Sequence, residues 1–137
     1  MDVVLAPDIY VNASVALGSS PEHAVRRAFS GPGKPKTSTW VMERVQSMLH
    51  ALPEFRDEAV AQQMSTIRGL VDVVENGEHF IDDWEKALVA LAKAARVGRV
   101  LTDHPDLLAL KNAQGVEFVS SDAWLVEQAT PPPPPVV

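Results

Sequence analysis

The chain contains no cysteine. Disulfides and thiolate metal sites are therefore excluded, and any bound metal must be held by oxygen or imidazole groups. Aromatic residues make up only 6% of the chain, with a single tyrosine. No apolar run approaches the roughly 20 residues that span a bilayer. No basic start leads into an apolar signal segment either, so the expectation is a cytoplasmic protein without membrane contact. Basic residues are outnumbered, 12 Lys and Arg against 18 Asp and Glu, for a net charge of −6. That balance argues against a tight grip on nucleic acid by the chain as a whole, which would show a basic face. The cluster Arg26, Arg27, Lys34 and Lys36 is the local exception and keeps RNA open as a partner. An acidic excess also suits a protein held by a basic partner.

What is present is globular: 137 residues, 46% apolar and 22% charged, about one ordinary domain. The domain is expected over 1–129. The remainder, 130–137, reads TPPPPPVV and predicts a stiff, extended, disordered tail outside any core.

The stretch Ile81–Leu110 sets the pattern. Asp82 and Asp83 supply an N-cap and an acidic first turn. Leu88, Leu91, Ala92 and Ala95 then recur at helical spacing, and Gly98 offers a stop. Val97, Val100 and Leu101 make a short buried strand, Thr102–Asp106 a polar turn, and Leu107, Leu108 and Leu110 a further helix. Elsewhere Val3, Val4 and Leu5 predict a first strand over 2–6, followed by a helical pattern from Ile9. Ser20 and Pro21 open a helix to Phe29, and SGPGKPK is a loop. Ser38 or Thr39 caps a helix beginning at Trp40 and ended by Pro53, and Glu54–Arg68 is another. Strands are expected at 70–74 and 116–119, with a minor one near Lys36–Ser38. ENGEH and Asn112–Gly115 read as turns, and Ser120–Asp122 caps a last helix. Alternating strands and helices predict a parallel sheet covered by helices on both faces.

In such sheets ligands gather at the carboxyl ends of the strands. The acids expected near that edge are Asp8, Glu43, Asp82, Asp83, Glu85, Asp103 and Asp106. Carboxylates brought together repel unless a cation neutralises them, and Mg²⁺ or Mn²⁺ prefers oxygen ligands. Each acid also has an ordinary reading. Asp82 and Asp83 start a helix, Glu43 sits in the first turn of its helix, Asp8 follows a proline in a turn, and His104 caps.

The motifs VVLAPDIYVNAS (3–14), TSTWVMERV (37–45), DDWEKALVALA (82–92), VLTDHPDLL (100–108) and GVEFVSSDAWL (115–125) occur in this order. In that order the chain resembles the PIN domains, specifically the VapC-like toxins of toxin–antitoxin systems, over residues 2 to about 128. The resemblance implies a three-layer αβα PIN-like fold with a four- to five-stranded parallel sheet. It implies a Mg²⁺- or Mn²⁺-dependent endoribonuclease, a homodimer, and neutralisation by an antitoxin or other protein partner. Carried over position by position, it makes Asp8, Glu43, Asp82, Glu85 and Asp103 the catalytic and metal-binding candidates. Two positions depart from the family. Its first catalytic Asp falls on Ala6, which has no oxygen to offer, with Asp8 where the family usually has Asn. A later Asp falls on His104, with Asp103 in the family's Gly position. These changes imply activity that is impaired or lost, and the alternative is a catalytically inactive PIN-like binding module. A third reading, a homodimeric α/β interaction module unrelated to nucleic acid, takes Trp40, Trp84 and Trp124 as exposed.

Overall fold

The computed structural model describes residues 3–31, 33–74 and 82–129. The expected ENGEH turn and the TPPPPPVV tail lie outside them. In chain order the elements are β1 (Val3–Leu5), α1 (Pro7–Val15), α2 (Ser20–Phe29), β2 (Lys36–Thr37), α3 (Thr39–His50), α4 (Asp57–Leu70), β3 (Asp72–Val73), α5 (Trp84–Ala94), β4 (Arg99–Leu101), α6 (Pro105–Leu110), β5 (Asn112–Ala113), β6 (Val116–Val119) and α7 (Ser121–Ala129).

The fold is mixed α/β, with a four-stranded, mostly parallel sheet in the order β1-β4-β6-β5. Val4 pairs with Val100 and Val100 with Phe118, so β1, β4 and β6 run in parallel. Successive strand residues point to opposite faces. Val3, Val4 and Leu5 are all buried, so both faces of β1 are covered. On α5 the periodic Leu88, Leu91 and Ala92 are fully buried, and this helix packs on β1, β4 and β6.

The sheet differs from the expected all-parallel one in two places. The strand foreseen at 70–74 is shorter, and it pairs with β2 in a separate two-stranded parallel ribbon lying against β1. Lys36 is opposite Asp72 there, and their half-exposed charges meet at 3.0 Å, a pair worth about 0–1 kcal/mol. The turn foreseen at Asn112–Gly115 contains an additional strand, β5, antiparallel to β6. Gln114 and Gly115 have φ of 50° and 83°. That is the left-handed pair a two-residue hairpin needs for its twist to match the strands.

Local chemistry sets the helix ends. Ser38 caps α3 by accepting the Val41 N–H at 3.2 Å, and Asp83 caps α5 by accepting the Lys86 N–H at 3.0 Å. The cap of α2 is Ser19, one residue before the expected Ser20. Gly98 is not the stop of α5. The helix ends at Ala94, with Arg96 left-handed at φ 60°. The Arg96 N–H then reaches the Lys93 carbonyl and the Val97 N–H the Ala92 carbonyl, the two reverse bonds of a Schellman motif.

Candidate site at the carboxyl edge of the sheet

Strand register decides which residues meet at this edge. The ladder continues past the strands, with the Ala6 N–H donating to Leu101 and the Thr102 N–H to Val119, both at 2.9 Å. Ala6, Thr102 and Ser120 therefore end the three parallel strands at one level. Pro7 starts α1 at once, its fixed φ suiting a first helical position. Asp8 consequently falls in the first turn of α1, turned back over the strand ends.

Asp8 is buried, and each of its oxygens accepts a hydrogen bond. The Thr102 hydroxyl donates to Oδ1 and the Asp103 N–H to Oδ2, both at 2.8 Å. Burial, which disfavours the charged form, raises the Asp8 pKa above the ordinary carboxylate range. The Asp103 N–H and the Thr102 hydroxyl pull the other way, and the neighbouring Asp103 charge adds to the rise. Asp103 is engaged in turn. Its Oδ1 accepts the Ser121 N–H at 2.8 Å and its Oδ2 the Ser121 hydroxyl at 2.6 Å. Ser121 is the first residue of α7 and is 1% exposed. His104 caps α6, its Nδ1 accepting the Asp106 N–H at 3.2 Å. The imidazole thus has the capping role among its ordinary readings.

The structure brings Asp8 and Asp103 together and distributes the other candidates. Glu43 is on α3 but beyond its first turn, and it is exposed. Glu85 lies half-buried in the first turn of α5. Asp82 is exposed, has a left-handed φ of 62°, and meets Arg44 Nη2 at 3.0 Å. Among the described residues, no group of three or more His, Asp or Glu is arranged to hold a metal ion. As arranged, this donor set does not fit a divalent cation. Ala6 is fully buried and offers no side-chain oxygen, and no third acid joins Asp8 and Asp103 among the described residues.

Sequence reading did not anticipate Thr102, Ser121 or Arg44. Thr102 follows a strand directly ahead of the candidate Asp103, which was the available signal; Ser121 meets Asp103 only through the fold. Arg44 was legible as the partner one helical turn after Trp40; its guanidinium carbon lies 5.5 Å from the Trp40 ring centre. The tryptophans are not exposed as the interaction-module reading took them to be. Trp40 and Trp124 are buried and Trp84 half-buried. Trp84 packs edge-on to Trp40 at 5.8 Å and against His104 at 5.4 Å, which consumes their apolar surface.

No protein-family model, curated protein or solved structure matches the chain. The carboxyl edge must be read from its own chemistry.

Away from it, an apolar groove of about 370 Å³ opens between α1, α2 and α4, with Tyr10, Val25, Phe29 and Ile67 in its lining. Leu17, 83% exposed, and Leu70 also line it. Among the described residues no helix is long and apolar enough to cross a membrane.

Proposed function

We propose that this chain is a PIN-like domain, resembling the metal-dependent endoribonuclease toxins of toxin–antitoxin systems, in which RNA cleavage is impaired or lost. The observation that carries the reading is Ala6. It is fully buried at the end of β1, the position where the resemblance expects the first metal-binding acid. The motif order supports the PIN-like assignment, as does a mostly parallel sheet whose strand ends bring Asp8 and Asp103 together. The spread of Glu43, Asp82 and Glu85 supports the loss of activity.

The second reading, a binding module without catalysis, is favoured by the apolar groove of α1, α2 and α4. A surface of that kind, bordered by an exposed Leu17, is one that a protein partner's apolar side chains can cover. An antitoxin-like protein partner, and a homodimer, belong to this proposal.

Calorimetric titration with Mn²⁺ tests the nuclease reading on the chain and its Ala6→Asp variant, with RNA cleavage assayed on the same two samples. The expected result is binding and cleavage by the variant only. Activity in both shows that the native acids suffice and that Ala6 disables nothing. Inactivity in both removes the nuclease reading and leaves the binding module.

A further inference from the structure

We propose that Asp8 and Asp103 are a metal-independent structural pin that fastens the three strand ends together. The pin follows from the hydrogen bonds and does not rest on the PIN-like assignment. Starting from β1, Asp8 accepts the Thr102 hydroxyl and the Asp103 N–H, which are the first two positions after β4. Asp103 then accepts the backbone and hydroxyl of Ser121, just after β6. Thr102 closes the relay by accepting the His104 N–H at 3.1 Å, where α6 begins. One chain of hydrogen bonds thus links the β1–α1, β4–α6 and β6–α7 junctions.

The donors are the decisive detail. Two backbone N–H groups and two hydroxyls face the carboxylates, and an unmade bond at any of these buried groups is costly. A carboxylate that ligates a metal is hydrogen-bonded by neighbours as well, but it shares the ion with further oxygen ligands, and among the described residues no third acid joins Asp8 and Asp103.

The geometry also says which side chain Asp8 imitates. An asparagine would accept the Asp103 N–H through its carbonyl oxygen and donate its amide to Thr102 Oγ1, which is already an acceptor for His104. Charge at position 8 is therefore secondary for the pin, whereas shape and polarity are required, and the one bond an asparagine gives up is that of the Thr102 hydroxyl proton. A metal ligand has the opposite demand, since replacing an anionic oxygen by an amide weakens a divalent site.

Thermal unfolding of the full chain, Asp8→Asn and Asp8→Ala, each in chelator and in millimolar Mn²⁺, tests the pin. The expected result is an Asp8→Asn midpoint within a few degrees of the native chain's and well above that of Asp8→Ala. The Asp8→Ala midpoint should be lower by roughly 8 °C or more, scaled for a chain of this length, and Mn²⁺ should shift none of the three. Two outcomes overturn the pin. One is a Mn²⁺-dependent rise in the native chain that Asp8→Asn abolishes, which makes Asp8 a ligand. The other is an Asp8→Ala midpoint equal to the native one, which makes the hydrogen bonds idle. Should Asp8→Ala not fold at all, the Asp8→Asn comparison still decides. Failure of the Ala6→Asp experiment would remove the nuclease reading and leave the pin intact, so the two ideas fail separately.

Discussion

Replacing Asp103 by alanine removes both acceptors that hold the start of α7. Its partner Ser121 is 1% exposed, so water cannot readily replace the lost oxygens on that side. The Ser121 N–H and hydroxyl then each stand unpaired, at a cost of about 1–3 kcal/mol per buried group. Asp103 itself is half-buried, and partial entry of water through its position reduces the sum. The expected loss is about 2–4 kcal/mol, or roughly 8–15 °C in midpoint for a chain of this size. Asparagine at 103 separates charge from geometry. Its carbonyl can keep the bond to the Ser121 N–H while its amide donates to the Ser121 hydroxyl, so the loss should fall to about 1 kcal/mol. Urea unfolding followed by tryptophan fluorescence measures both, with the buried Trp124 reporting from α7 itself. An Asp103→Ala variant within about 0.5 kcal/mol of the native chain, the range of ordinary surface changes, would refute the argument.

Two further outcomes are expected. Arg96→Gly should stabilise the chain by about 0.5–1 kcal/mol, because Arg96 is exposed and holds the left-handed position ending α5 that glycine adopts without strain; an unchanged urea midpoint would refute this. The raised Asp8 pKa means that the folded chain binds that proton more tightly than the unfolded chain does. The corresponding stability is fully present below the unfolded pKa of about 3.9 and is lost as pH rises through the folded pKa. The stability of Asp8→Asn relative to the native chain should therefore rise between acid and neutral pH. A pH-independent difference would show that burial does not perturb Asp8.

Much of the local structure was legible because its causes lie within a few residues of one another. The cap of α3 is Ser38 bonding three residues ahead, and that of α5 is Asp83 doing the same. The apolar face of α5 is a spacing of three and four, and β1 is three apolar residues before a proline. Less legible were elements whose identity depends on a distant partner. The backbone of β5 is strand only because Asn112 lies opposite Glu117 and Ala113 opposite Val116. β3 joins β2 rather than the main sheet because its backbone bonds go to Pro35 and Thr37. The Schellman ending at Arg96 was hidden by Gly98, since left-handed backbone is affordable to arginine once two reverse hydrogen bonds hold it.

The candidate site divides along the same line. By itself the sequence determined that Asp8 follows the first strand, that Asp103 follows a later one, and that Ala6 has no oxygen. Those are properties of residue type and order. The tertiary structure alone decided what the acids do, because Asp8 and Asp103 are 95 positions apart and meet only through the parallel register of β1 on β4. That register also places Thr102 and Ser121 where their donors satisfy the carboxylates, while Glu43 lies on α3, Asp82 just ahead of α5 and Glu85 in the first turn of α5. A buried carboxylate takes its role from the donors that surround it, and those donors come from whichever strands the fold makes neighbours.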